Sequence, residues 1–167
     1  MKKFAAIFLA FTIFMSCVYA ADPVEGFWIS VDEKYKRDSA GWKIWEEDGI
    51  LYGKILSVAY FPQEGYATGG RGKSYDNFHD GADISTFKSV GTTWIWGLKK
   101  QEEGKWADGY IIDPTDGRRY KCRITFHKAD GKKYKKDTLE MRGEIGPFGR
   151  SQNWRKAVSE EEASSIR

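Results

Sequence analysis

The sequence predicts an all-β protein: an eight-stranded antiparallel barrel of up-and-down order, followed by a short C-terminal helix or tail. Three observations carry that expectation. The folded part opens on Gly26, Phe27 and Trp28 and closes on Gly149, Arg150, Ser151, Gln152, Asn153, Trp154 and Arg155, so aromatic strands bracket the domain. Apolar and polar residues alternate at period two over short runs between them. Turn signals rich in Gly, Asp and Pro separate those runs.

The segment 1–20 reads as an export signal rather than as part of the fold. Lys2 and Lys3 are followed by an apolar stretch from Phe4 to Met15, and Val18, Tyr19, Ala20 offers a small-x-small cleavage site. Cleavage after Ala20, and a periplasmic or secreted protein, are expected. The alternative treats Phe14, Met15, Ser16, Cys17 as a loose lipobox, which would acylate Cys17 and anchor the protein to a membrane. Without Lys2 and Lys3 the charge is nearly balanced, 25 basic against 24 acidic residues, interspersed along the chain. That balance argues against nucleic acid as a partner, which calls for a basic stripe. The cluster Lys128, Lys132, Lys133, Lys135 and Lys136 around Gly131 reads as a solvated hairpin tip.

The domain 21–158 supplies the strands. The first covers Phe27 to Val31. A hairpin follows, Trp42 to Glu47 and Leu51 to Val58 around the tight-turn pair Asp48, Gly49. Thr92 to Lys99, Trp106 to Ile112, Tyr120 to His127, Thr138 to Glu144 and Gly149 to Lys156 complete the set. Alternation is cleanest in Tyr120 to His127, with Tyr120, Cys122, Ile124 and Phe126 on one face. In Thr92 to Lys99 the inward face is ambiguous, since Trp94 and Trp96 oppose Ile95.

Closing such a meander removes exposed sheet edges and brings the first strand beside the last. Trp28 and Arg155 are expected to meet there, with the guanidinium stacked on the indole as the structural closure of the barrel. By strand parity the turns at Asp48–Gly49, 102–105 and 129–134 fall at the closed end. The connections 32–40, 61–91, 113–117 and 145–148 fall at the mouth. The long segment 61–91, rich in glycine, is expected to be mobile and to lie over the mouth. In the tail 159–167, Ser159 and Glu162 have the spacing of a capping box, and terminal fraying is the default.

Only Cys122 remains after cleavage, so packing rather than a disulfide must hold the domain. Seven Trp, nine Tyr and ten Phe provide large buried areas for that purpose.

The residues Pro23 to Trp28, Glu46 to Gly49, Leu51 to Ile55, Gly104 to Trp106 and Ile112 to Pro114 form a recurring pattern with Gly117, Tyr120, Met141 to Gly143, Phe148 to Gln152, Trp154 and Arg155. That pattern resembles the bacterial domain-of-unknown-function 2147 family over nearly the whole mature chain. The opening Gly-x-Trp and closing Arg also look like the lipocalin and calycin pattern, whose members commonly hold small apolar ligands. The resemblance implies location and shape rather than chemistry. The segment Thr68 to Val90 replaces the short link usual in the family.

No catalytic constellation is visible. There is no Gly-x-Ser-x-Gly elbow, and His79 and His127, the two histidines, fall far apart by parity. Asp76, Asp80 and Asp83 fail the register of a calcium loop because Phe78 and Phe87 occupy ligand positions. No cofactor, no metal and no enzyme activity are expected, and a monomer is the expected state. The candidate ligand-binding residues are Trp42, Tyr60, Trp94, Tyr110, Tyr120, Arg142 and Arg150, aromatic walls with an Arg for a carboxylate or phosphate head. The favoured reading is a barrel that binds a small apolar or amphipathic molecule. The alternatives are a solid-cored interaction module of the cell envelope, and an enzyme whose site the sequence does not reveal.

Overall fold

The computed structural model describes residues 21–167, so the export segment 1–20 and Cys17 lie outside the described residues. Eight strands form a closed antiparallel barrel in sequence order. They are β1 (Gly26–Asp32), β2 (Arg37–Glu47), β3 (Ile50–Val58), β4 (Thr93–Glu102), β5 (Lys105–Ile112), β6 (Arg119–His127), β7 (Thr138–Ile145) and β8 (Phe148–Lys156). A short helix, α1 (Glu160–Ser164), follows. β2 begins at Arg37, five residues earlier than the sequence predicts, because a register shift in β1 at Ser30–Val31 lets Arg37 and Asp38 pair with Asp32 and Val31 despite the broken alternation there.

Residues paired across neighbouring strands share a face, which identifies the interior. Trp28 opposes Trp42, which opposes Ile55; Ile95 opposes Gly53 and Ile111; Ile124 opposes Met141; Leu139 opposes Trp154. All but Gly53 belong to one buried cluster. β4 and β5 each carry an extra residue, at Gly97 (φ 75°) and Asp108 (φ 65°), so Ile95 and Leu98 both point inward although three positions apart. Cys122 is buried among these side chains, and burial pushes its thiol pKa up.

Between β1 and β8 the register corrects one expectation. Trp28 opposes Lys156 and Ile29 opposes Arg155, so Arg155 stands one residue out of phase with the indole and faces outward. The cation on the Trp28 ring is Lys156, with Nζ 5.5 Å from the centroid. Arg155 instead grips both carboxylate oxygens of Asp38 at 3.2 and 2.6 Å and reaches Glu162 at 2.6 Å. These carboxylates raise its pKa, Asp38 foremost. Both residues still belong to the closing seam, Trp28 on its inner side and Arg155 on its outer side.

The tail is docked rather than frayed. Ser159 caps α1, its Oγ accepting from the Glu162 amide at 3.3 Å. Ala163 and Ile166 pack with Ile29, Ala59 and Ala157 on the outer wall. Ser57 Oγ donates to the Ala163 carbonyl at 2.6 Å and accepts from the Ile166 amide at 3.2 Å. Gly41 makes this approach possible, since a Cβ there would stand 1.6 Å from the Ala163 carbonyl oxygen.

The segment 61–91 also departs from expectation: most of it wraps the outside of β4 and β5 rather than covering the mouth. Phe78 stacks on Trp94 at 5.5 Å and packs on Trp96, the two residues flanking the inward Ile95. At the rim its backbone crosses the β5–β6 turn so closely that a Cβ on Gly117 would lie 2.2 Å from the Gly70 Cα. The glycines there serve close approach rather than mobility.

Candidate functional site

At the closed end buried side chains occupy the barrel interior. Asp22 to Glu25 cross its base, with Val24 fully buried and its carbonyl accepting from Trp28 Nε1 at 2.9 Å. Asp22 accepts from Lys100 Nζ at 2.8 Å and from the amides of Val24 and Gly104. Burial alone would raise the Asp22 carboxyl, but these donors hold it below its ordinary value. Above this base Trp28, Ile44, Leu51, Leu98, Ile124 and Leu139 fill the interior.

Halfway up, the filling stops. A cavity of about 570 Å³ opens toward the mouth, within the range of small-ligand sites. Trp42, stacked on Trp154 at 4.8 Å, marks its inner end, and Ile55, Ile111 and Met141 form apolar walls. Two of its polar groups are placed by the indoles. Trp42 Nε1 donates to Ser30 Oγ at 3.2 Å, and Trp154 Nε1 donates to Gln152 Oε1 at 3.1 Å. An indole nitrogen can only donate, so the Gln152 oxygen must face Trp154, which leaves the amide nitrogen as a donor. Arg150 stands at the rim, bonded to Glu33 at 3.0 Å. Tyr120 donates to Asp116 at 3.1 Å; its burial, and then this carboxylate, raise the phenol pKa. Tyr60, at φ 67° in the left-handed region, lies on the rim beneath the Arg37 guanidinium, 3.9 Å from its ring centroid.

Residues 26–156 match the family model described as "Uncharacterized protein conserved in bacteria (DUF2147)". The chain belongs to the DUF2147 family. The sequence matches no curated protein. Among solved structures, this DUF2147 chain is similar to protein HP1028 from the human pathogen Helicobacter pylori, described as belonging to the lipocalin family. The TM-score is 0.60 at 15% identity, covering 82% of this chain and 84% of that one. The likeness is one of fold, and it agrees with the lipocalin-like closed barrel.

Four of the seven residues named from the sequence line the cavity of this DUF2147 barrel: Trp42, Tyr60, Tyr120 and Arg150. Three do not. Trp94 is on the outer face, buried under Phe78, with its indole nitrogen donating to the Ser89 carbonyl at 2.8 Å. Tyr110 opposes Trp96 on that same face, beneath the Arg119 guanidinium at 4.7 Å. Arg142 lies between the inward Met141 and Gly143, so it faces out, where it bonds Glu144 at 2.6 Å. Ser30 and Gln152 were not singled out from the sequence, yet counting in twos from Trp28 and Trp154 places both inward. Among the described residues no group of three or more His, Cys, Asp or Glu side chains is placed to hold a metal ion.

Proposed function

We propose that this protein is an exported binding barrel whose mouth cavity takes a small apolar or amphipathic molecule. The observation that carries the reading is the half-filled interior: an apolar chamber of about 570 Å³ ending on stacked Trp42 and Trp154. Apolar walls favour an acyl chain or ring system by removing its surface from water, at roughly 25 cal/mol per Å². The Gln152 amide supplies one inner donor for a carbonyl or hydroxyl oxygen. Arg150 supplies a cation at the rim for a carboxylate or phosphate head, in exchange with Glu33. A solid-cored module would have filled this space with side chains, so the chamber favours the binding reading.

Native mass spectrometry of the protein purified from its producing cell, together with titration of a fluorescent fatty acid, tests it. A bound species and saturable uptake are expected, with uptake abolished by Ala40→Trp in the wall and preserved by Trp94→Ala on the outer flank. No bound species and no saturable uptake, or equal loss in the two variants, would refute a mouth-cavity site. Export is tested separately by cell fractionation and N-terminal sequencing. A periplasmic or secreted form starting at Ala21 is expected, whereas an acylated Cys17 would establish the anchored alternative.

A further inference from the structure

The rim of the cavity differs from the rest of the surface. Among the described residues seven large hydrophobic side chains are exposed, and five of them stand at the mouth: Tyr35, Tyr60, Phe61, Ile145 and Phe148. They come from three separate connections, β1–β2, β3–β4 and β7–β8, which share one end only because the strands run up and down. Phe148, the first residue of β8 and paired with Ile145 across the two-residue turn Gly146–Pro147, is 79% exposed. Folding gives no reason to leave it there.

The charges of the β1–β2 connection are just as unevenly used. Its acids are occupied: Asp32 accepts from the amides of Lys34 and Tyr35, Glu33 bonds Arg150, and Asp38 holds Arg155. Its cations are not. Lys34, Lys36 and Arg37 have no carboxylate within ion-pair distance among the described residues, and Lys34 and Arg37 lie against tyrosine rings instead. The result is a set of exposed aromatics interleaved with available cations around the opening of an apolar chamber.

We propose that the mouth end docks on the surface of an anionic lipid bilayer. Tyr35, an amphipathic ring, sits at headgroup level, and the apolar rings of Phe61 and Phe148 reach the boundary with the acyl chains. Lys34, Lys36 and Arg37 face the headgroup phosphates, each attracted strongly enough to change partitioning about fivefold. The chamber then opens toward the bilayer, and an apolar molecule passes between them without crossing water. Docking is separable from ligand uptake, because Lys34, Tyr60 and Phe61 border the chamber only at its exposed lip, whereas Ala40 and Trp42 wall it where it is buried.

Co-sedimentation of residues 21–167, which contain the whole barrel, its base and its docked tail, with vesicles of phosphatidylglycerol or phosphatidylcholine tests the proposal. Strong binding to phosphatidylglycerol, at least tenfold weaker binding to phosphatidylcholine, and loss of the difference at high salt are expected. Lys34→Glu with Lys36→Glu, and separately Phe61→Ser with Phe148→Ser, should each reduce binding at least tenfold with unchanged melting temperature. Ala40→Trp, which blocks the chamber, should sediment like the native protein, so failed docking and failed ligand uptake are told apart. No sedimentation, equal binding to both lipids, or loss only with Lys132→Glu and Lys133→Glu at the opposite tip would overturn it. So would a concentration-dependent dimer, abolished by Phe148→Ser, in place of vesicle binding.

Discussion

The two ends of this barrel are built from the same eight strands to opposite purposes. At the base, Trp28, Leu51, Leu98 and Leu139 are fully buried in the interior, and a backbone segment tied by Asp22 to Lys100 crosses the opening. At the mouth, Ala40, Ser30 and Gly143 stand where large side chains would be needed to fill the space, and a chamber remains. The difference teaches where stability and binding reside: the base contributes the packing that allows the upper half to stay open. A lining of small residues is tolerable only because the sheet is closed and its lower half is dense.

The largest effect expected from testing that division is at the base. Trp28→Ala should cost about 3–5 kcal/mol in urea unfolding, as the truncation of a buried Trp generally does. The same experiment with Met141→Ala should cost only about 2 kcal/mol, the low end for such a truncation, because it widens a space already open rather than creating one. Equal losses would mean that the two halves support the fold alike. Next comes the outer wall: Gly41→Val places side-chain atoms inside the Ala163 carbonyl and should detach α1, with a loss of about 2–3 kcal/mol from overpacking and lost burial. Limited proteolysis should then remove the C-terminus at a much higher rate. An unchanged cleavage rate would show the tail to be weakly held.

A third, smaller effect is the pH dependence contributed by the base. The Asp22 carboxyl is held below its ordinary value of 3.8, so it binds a proton less readily folded than unfolded. Its stabilisation is therefore complete above pH 3.8 and is lost as pH falls through the lower folded value. Asp22→Asn should cost about 1–2 kcal/mol at pH 7, by weakening charge-assisted hydrogen bonds. The variant's stability should also fall less steeply than the native protein's in acid. Identical acid unfolding curves would place the sensitivity elsewhere.

The same contrast governs what the sequence disclosed. Strand order, the Asp48–Gly49 hairpin and the inward run Tyr120, Cys122, Ile124 and Phe126 follow from period-two alternation, and the structure has them. Tyr120 was legible as a cavity residue because its strand alternates cleanly, and Trp42 because it shares a face with Ile44 in a strand whose alternation is less clean. Trp94 and Tyr110 were misplaced because β4 and β5 each carry an extra residue, which shifts parity without any strong local signal beyond Gly97 and Gly109. Arg142 was recoverable, since it sits between two inward positions. The course of 61–91 was not: its glycines look the same whether they free a loop or allow two backbones to cross, and only the partner at Gly117 decides between them.

The finest test of the division concerns Gln152, which belongs to both halves. Its oxygen accepts from Trp154, part of the dense interior, while its amide nitrogen belongs to the chamber. Gln152→Glu keeps an oxygen for the indole and replaces the nitrogen with a second acceptor of nearly the same size. The packing role should survive, so the melting temperature should move by no more than about 2 °C. The donor is gone, and a negative charge now faces any ligand oxygen brought to the inner end. Uptake of a fluorescent fatty acid should weaken about tenfold, or about 1.4 kcal/mol. Gln152→Leu separates the two contributions further, because it removes the indole's acceptor as well and should add roughly 1 kcal/mol of destabilisation. If both variants bind as tightly as the native protein, the inner end of the chamber recognises shape alone and its hydrogen bonds serve only the fold.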